Sequence, residues 1–222
     1  MLTETGLIDG GTLIVASAVG GVTLAHAVHG APWRAWLGDR ERQWVWFASM
    51  AMLLVVWPMQ AGITPGLSVR FVLLTALTLM HGWRLALVAG ALVLAMLSQA
   101  GLADWINYGP NLLCMVVVPV LFTVWWHERI HDHLPRNYFI YFFVTTFLGS
   151  ALAFNCAGLM RLALVAASGH LDMAHVGPEY FAILPFMSLG EAVANGMIVA
   201  TAVVFRPQWV MSFDDRLYLF QR

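Results

Sequence analysis

Seven apolar runs, separated by short polar gaps, occupy almost all of this chain of 222 residues. The runs lie at about 12–30, 44–60, 70–81, 85–103, 110–127, 138–167 and 180–205. A helix that crosses a bilayer needs roughly 20 apolar residues, which most of these runs can provide. The pattern therefore predicts an all-α integral membrane protein with about seven transmembrane helices. Residues 1–222 are predicted to form a single polytopic membrane domain.

The arginines predict the orientation of the chain, which contains no lysine. Basic side chains are retained on the cytoplasmic side during insertion. Nine of the eleven arginines lie in alternate gaps, after the first, third, fifth and seventh runs: Arg34, Arg40, Arg42, Arg84, Arg129, Arg136, Arg206, Arg216 and Arg222. The N-terminus is therefore predicted outside and the C-terminus inside. Residues 206–222 are predicted to form an amphipathic tail on the inner surface.

Composition narrows the class of protein. Hydrophobic residues make up 60% of the chain and charged residues 10%, which is too little charge to cover a soluble globule of this size. The formal net charge of −1 argues against a nucleic-acid partner. The sequence carries no phosphate-cradling glycine loop and no ATPase signature, so any energy must come from another subunit or from a gradient.

The third run is short for a membrane span. As a helix, residues 70–81 would extend about 18 Å, against a hydrocarbon thickness of roughly 30 Å. The stretch before it, 60–68, is rich in proline, glycine and serine. Two interpretations stay open. The stretch is re-entrant backbone of the kind that lines substrate sites, or it is an ordinary outer loop before a tilted helix.

Sulfur and imidazole side chains form a candidate site for a soft metal ion in the predicted outer half of the protein. They are Cys114, Met115, Cys156, Met160, His170, Met173 and His175. Thiolate and thioether ligands select Cu(I), and imidazole is also accepted. The alternative is that the cysteines and methionines are packing residues and that the histidines lie in a solvated turn.

The sharpest local motif is an H-E-x-x-H sequence formed by His127, Glu128 and His131. On a helix this spacing places two imidazoles on one face, where they can bind zinc with glutamate as the base of a metalloprotease. The motif lies at the predicted inner boundary, and a third ligand would have to come from elsewhere. The alternatives are an interfacial belt of polar residues and an inner site for metal exit or regulation.

Several polar side chains fall inside the predicted spans: Asn111, Asn155, Arg161, Glu191 and Asn195. A carboxylate embedded in a membrane indicates function by default, and Arg161 is the natural partner of Glu191 if their helices meet. The structural interpretation is an interhelical polar clamp that orients the bundle.

Taken in order, several segments resemble the CbiM/NikM family, the membrane substrate-capture subunits of cobalt and nickel energy-coupling-factor transporters. The segments are Ile8-Asp9-Gly10, Pro58 with 64–68, 107–115, Gly190-Glu191-Ala192-Val193 and Phe205-Arg206-Pro207. The resemblance implies a seven-helix bundle in a bacterial-type inner membrane, with its N-terminal segment tucked into the outer face. It also implies a transmembrane coupling subunit and cytoplasmic ATPase subunits as partners.

The chain departs from this family at the metal site. Gly6 stands where the resemblance places a first histidine, and Arg70 stands in place of a second. A guanidinium is permanently protonated and cannot ligate a metal cation, so nickel or cobalt specificity does not carry over. Asp9 is the first partner we expect for Arg70, in a salt bridge at the former metal site. The alternatives are that Arg70 recognises an anionic substrate or snorkels to the outer interface.

These observations favour a transport subunit rather than an enzyme. The predicted function is capture of a small substrate on the outer side, with a transition metal ion as the first candidate and soft ligands replacing the lost histidines. No resident cofactor is predicted. The main alternative is a membrane scaffold or assembly subunit that reuses the fold without transporting. A membrane metalloprotease built on the H-E-x-x-H motif is the third alternative.

Overall fold

The computed structural model describes residues 8–59, 61–62, 68–135, 137–169 and 173–213. Its helices are α1 (Gly10–Gly30), α2 (Trp33–Leu37), α3 (Arg40–Val56), α4 (Leu74–His81), α5 (Trp83–Gln99), α6 (Tyr108–Asn111), α7 (Val118–His133), α8 (Gly149–Ser168) and α9 (Met173–Phe205). π-Helical turns at Leu112–Val117 and Ile140–Leu148 lead into α7 and α8, and a 3₁₀ turn at Pro207–Trp209 follows α9. Two short antiparallel strands, β1 (Ala61–Gly62) and β2 (Ser68–Val69), pair ahead of α4. Apart from this pair of strands, the elements of the described chain are helices or helical turns, so the predicted all-α class is confirmed.

Each apolar run coincides with helix, although the boundaries differ. Four helices of the described chain are long and apolar enough to cross a membrane: Gly10–Gly30, Tyr108–His133, Ile140–Ser168 and Tyr180–Phe205. Trp83–Gln99 is a shorter apolar helix. Helix α9 begins at Met173, earlier than the apolar run at 180, and continues through Pro178 and Pro185. Hydropathy could not place its start, because a helix can extend beyond the apolar segment.

Helix α4 is the centre of the bundle. All eight of its residues, from Leu74 to His81, are buried, and α5, α7, α8 and α9 pack around it. The helix is as short as the third apolar run predicts, and Gly82, with a φ of 79°, ends it and starts α5. Because so short a helix can form few interactions of its own, its position must be set by its neighbours.

Helix α1 lies on the outside of the bundle. Large apolar side chains on it are exposed, including Ile14 at 68% and Val22 at 71%. Exposed apolar surface of this kind is expected where a helix faces lipid, because lipid tails are as apolar as these side chains. Its inner side carries small residues, and Ala16 and Gly20 are buried. Small residues on this side let the backbone of a neighbouring helix approach closely.

Two backbones approach each other closely where α1 meets α6. A Cβ atom built on Gly109 would overlap the Oγ atom of Ser17 and would lie 2.6 Å from the Cα atom of Ser17. Gly20, one turn further along α1, faces Leu112 and the carbonyl oxygen of Gly109. Only glycine at position 109 permits this approach, because any Cβ atom would push the helices apart.

The described part of the C-terminal tail, 206–213, packs inward beneath α4. The backbone N–H groups of Met211 and Ser212 donate to the carbonyl oxygens of Met80 and Leu79, at 3.2 Å and 3.1 Å. Phe213 is buried beside Tyr141. The sequence predicts a tail on the inner surface, whereas these residues fold into the bundle. They do so because the carbonyl groups at the end of α4 need donors that the helix cannot provide. Residues 214–222 lie outside the described residues.

Candidate functional site

The N-terminal end of α4 is held by two side chains from α9. Glu191 accepts hydrogen bonds from the backbone N–H groups of Val72, at 2.8 Å, and Leu73, at 2.6 Å. Asn195, one turn later, accepts a bond of 2.8 Å from the backbone N–H of Ala76 and donates to Glu191 at 2.9 Å. The first N–H groups of a helix have no partner within it, so these two side chains act as its cap. They join α9 to α4 as a polar clamp.

The backbone at this point is strained. Leu73 has a φ of 56°, a left-handed conformation that is costly for a residue with a side chain. The short bond from Leu73 to Glu191 stabilises that conformation. On the other side of the segment, the indole of Trp57 donates to the carbonyl oxygen of Val72 at 3.1 Å. The segment 70–73 is therefore fixed between α3 and α9.

Arg70 begins this fixed segment and points into the protein. Its side chain is buried, and its Nη1 atom donates to the carbonyl oxygen of Trp57 at 2.7 Å. The guanidinium of Arg161, from α8, interacts electrostatically with Arg70, Cys114 and Tyr180. These four interacting side chains are all buried. Two guanidinium groups, a thiol and a phenol from four separate elements thus interact electrostatically through Arg161.

The expected Asp9–Arg70 salt bridge is not among the ion pairs of the described residues. Asp9 instead caps α1, where its carboxylate accepts bonds from the backbone N–H groups of Gly11, at 3.0 Å, and Thr12. It also accepts a bond of 3.1 Å from the hydroxyl of Ser168, the last residue of α8. The start of α1 needs acceptors for its own free N–H groups, and Asp9 is the nearest carboxylate. Asp9 therefore connects the start of α1 to the end of α8.

This cap predicts a pH dependence. Hydrogen bonds, chiefly from Thr12 and then from Ser168 and Gly11, hold the pKa of Asp9 below its ordinary value of 3.8. A carboxyl group with a lowered pKa stabilises the folded state above its unfolded pKa, and this contribution is lost as the pH falls through the lower value. We expect Asp9→Asn to lower the melting temperature at pH 7 but to match the native chain at low pH. Melting curves from pH 7 down through pH 3 measure this, and a difference that does not shrink as the pH falls below 3.8 would contradict it.

The predicted soft ligands differ widely in exposure. Cys114 and Met115 are buried, Cys156 is half-buried, and Met160 is 36% exposed on the surface of α8. Both cysteines are free thiols. Met173 and His175 lie in the first turns of α9, and their side chains, like all of His170, lie outside the described residues. Of this set, Cys114 interacts electrostatically with Arg161 and Tyr180.

The five polar residues predicted within the spans divide into three groups. Glu191 and Asn195 are brought together in the clamp, but Glu191 uses its oxygens on backbone N–H groups rather than on Arg161 as expected. Asn155 donates to a carbonyl of its own helix, that of Ala151. Asn111 and Arg161 are buried. No Glu191–Arg161 ion pair is among those of the described residues, and the Glu191 carboxylate accepts from backbone N–H groups and from Asn195.

The H-E-x-x-H motif forms one face of α7 near the end of that helix. The ring centroids of His127 and His131 are 6.0 Å apart. Glu128 is exposed. Within the part of the chain that the structure describes, no three histidine, cysteine, aspartate or glutamate side chains cluster as a metal site. A metalloprotease of this type needs a third protein ligand, so the described residues do not complete one.

Two contributors to the site could not be identified from the sequence. Tyr180 lies in a continuous apolar run, where a tyrosine is commonly a packing residue. Trp57 contributes its backbone carbonyl and its indole, and no sequence motif predicts that these groups would bond to Arg70 and Val72. The four-residue spacing of Glu191 and Asn195 is the one available signal, because it places both polar groups on the same face of α9.

The long apolar helices, joined by buried polar side chains, define a multi-pass membrane protein. The chain belongs to the family described as the cobalt uptake substrate-specific transmembrane region, which matches residues 4–209. Among solved structures, the fold is similar to a crystal structure of a truncated transition metal transporter, with a TM-score of 0.73 and 15% identity over 92% of this chain and 99% of that chain. No curated protein matches the sequence. At this level of identity, the structural likeness shows the fold.

Proposed function

We propose that this protein is the substrate-capture subunit of an energy-coupling-factor transporter for a transition metal ion. In this proposal seven helical segments cross the bacterial inner membrane, with the N-terminus outside and the C-terminus inside. A transmembrane coupling subunit and cytoplasmic ATPase subunits drive inward release. The observation that carries the proposal is the match of the metal-uptake family along residues 4–209, supported by the whole-chain likeness to a transporter fold.

The substrate site we propose is centred on Cys114 and Met115, which are buried within the bundle. The family's histidine ligand is absent at position 70, and a guanidinium cannot replace it as a metal ligand. Cys114 and Met115 are the candidate ligands within the bundle, because sulfur atoms favour a soft metal such as Cu(I). Cys156 and Met160 on α8, with His170, Met173 and His175 before and within α9, are the candidates for outer capture.

Replacing both cysteines tests this assignment. We expect Cys114→Ala with Cys156→Ala to remove the bound metal from protein purified from trace-metal medium, because the remaining thioethers bind more weakly than a thiolate. Elemental mass spectrometry of the purified protein and of whole cells measures the loss. The matched control is Ser188→Ala, a buried polar residue whose hydroxyl bonds only to the carbonyl of Pro185 in its own helix. Unchanged metal content in the double variant would exclude a soft-metal site at these cysteines.

One observation favours a non-transporting scaffold as the second candidate. Arg70 stands where the resemblance places a metal-binding histidine. Its side chain instead donates a hydrogen bond of 2.7 Å to the carbonyl oxygen of Trp57, which is a structural role. Arg70→His distinguishes the two functions. A transporter that retains the capture machinery should gain affinity for nickel or cobalt when an imidazole returns, whereas a scaffold should lose stability and gain no binding. Isothermal titration with Ni²⁺ and a melting curve on the same preparation measure both.

A further inference from the structure

A groove of about 550 Å³ follows the C-terminal part of α9. Its walls come from α9, from the end of α4 and from the 3₁₀ turn that follows α9. Its lining is mostly apolar and includes Met80, Met197, Ile198, Ala202, Phe205 and Trp209. The volume lies within the range of about 300–1,000 Å³ that sites for organic ligands occupy. The groove therefore has the size and the apolar surface to hold a hydrocarbon chain.

The groove is elongated along the helix. Met197, Thr201 and Phe205 line it at intervals of four residues, so they form one stripe on α9. From the first of them to the last, the helix rises about 12 Å. All three side chains are exposed. An acyl chain can therefore lie along the stripe in van der Waals contact, which is the interaction that drives association within a bilayer.

A single cationic side chain lies at the end of this stripe. Arg206 lines the groove and directly follows Phe205, the last residue of a helix long enough to cross a membrane. Its side chain is exposed, and it forms no ion pair with any carboxylate of the described residues. Its backbone N–H donates to the carbonyl oxygen of Ala202 at 2.8 Å, which fixes its position at the helix end. A guanidinium so placed can donate two parallel hydrogen bonds to a phosphate group.

The wall formed by the 3₁₀ turn is fixed by its own hydrogen bonds. The indole N–H of Trp209 donates to the Oε1 atom of Glu41 at 2.6 Å, which joins the turn to the first turn of α3. The backbone N–H of Trp209 donates to the carbonyl oxygen of Arg206 at 2.9 Å. Tryptophan is enriched where hydrocarbon meets the lipid headgroups. The groove thus has a fixed shape at the end where Arg206 lies.

We propose that this groove binds a phospholipid with an anionic headgroup, in the leaflet that the sequence predicts to be the inner one. The guanidinium of Arg206 donates to the phosphate, and one acyl chain lies along Met197, Thr201 and Phe205. Basic groups beside the inner end of a membrane helix attract anionic lipids. The bound lipid also contacts Met80, so it connects α9 to the end of α4 and to the tail. Lipid binding does not depend on the proposed transport function.

Titration with phosphatidylglycerol tests the site. The full chain is purified in a neutral detergent, and native mass spectrometry counts the lipids that each molecule retains. We expect one phosphatidylglycerol to bind in preference to phosphatidylethanolamine, and Arg206→Gln to weaken this binding by about tenfold or more, as loss of a charge-assisted hydrogen bond does. Thr201→Phe should also weaken it, because the larger side chain fills the groove. Arg129→Gln is the matched control, since Arg129 is an exposed arginine near the end of α7 that does not line the groove.

Unchanged affinity in Arg206→Gln, or equal affinity for the two lipids, would overturn the proposal, because the groove would then be ordinary lipid-facing surface. An equal loss in Arg129→Gln would also overturn it, since the attraction would belong to the whole basic surface. A dimer in the native spectra that Thr201→Phe dissociates would assign the groove to a second copy of the chain instead. Melting curves give an independent measurement. Phosphatidylglycerol should raise the melting temperature of the native chain and of Arg129→Gln, but not that of Arg206→Gln.

Discussion

Replacing Glu191 with alanine is expected to destabilise the protein by about 3–5 kcal/mol, because buried donors would lose their acceptor. The carboxylate accepts from the N–H groups of Val72 and Leu73 and is itself buried. An unpaired buried N–H costs about 1–3 kcal/mol, and two would remain. Leu73 would also lose the bond that stabilises its left-handed conformation. For a chain of this size, the apparent melting temperature should fall on the order of 10 °C.

Tryptophan fluorescence during thermal unfolding in detergent measures this effect. Glu191→Gln should be intermediate, because its carbonyl oxygen can serve one N–H group while its amide group cannot accept from the other. Ser188→Ala, nearly one turn earlier on the same helix, should change the melting temperature little, since its hydroxyl bonds only within α9. If Glu191→Ala and Ser188→Ala lower the melting temperature equally, the clamp contributes nothing beyond ordinary packing.

Replacing Gly109 with alanine is expected to separate α1 from α6 and to destabilise the protein by about 3 kcal/mol, the upper end for overpacking. The new Cβ atom would overlap Ser17 and would lie 2.6 Å from its Cα atom. A flexible side chain can move aside, but here the obstacle includes backbone, so a whole helix must shift. The melting temperature measured in the same assay should fall by a similar amount to that of Glu191→Gln.

Two variants control for this effect. Gly21→Ala, on α1, places its Cβ atom where nothing lies within 4 Å, and should be neutral or slightly stabilising because alanine favours a helix over glycine. Ser17→Gly combined with Gly109→Ala should recover part of the loss, since it removes the Oγ and Cβ atoms of Ser17 and leaves only backbone as the obstacle. Equal melting temperatures for Gly109→Ala and Gly21→Ala would show that the helices can separate without cost.

The all-α class of the protein could be predicted from the sequence, because helix formation in a bilayer depends on local hydrophobicity. Apolar runs of sufficient length form helices in a bilayer whatever their neighbours are, and α4 is as short as its run predicts. The starts of helices were harder to predict. Helix α9 begins at Met173 although Gly177, Pro178 and Glu179 follow its first turn, and the local sequence does not favour a helix there.

The partners of the polar side chains were the weakest part of the prediction. From charge alone, Arg70 is the expected salt-bridge partner of Asp9, and Arg161 is the expected partner of Glu191. Both carboxylates instead bond to backbone N–H groups at the starts of helices, with Ser168 as an additional partner of Asp9. A backbone donor has no signature in the sequence, because every residue except proline carries one. Opposite charges are therefore a poor guide where helix ends are buried.

The sequence by itself determined that the chain is a helical membrane protein of the metal-uptake family, because hydropathy and ordered motifs are local properties of the chain. Only the tertiary structure decided that Glu191 caps α4, although Glu191 and Leu73 are 118 residues apart in the sequence. It also decided that the backbone of Gly109 lies close to Ser17. It likewise decided that Arg161 interacts electrostatically with Arg70 and Cys114. These interactions depend on how helices pack against one another. The free energy of packing depends on shape and on buried hydrogen bonds, which no single segment encodes.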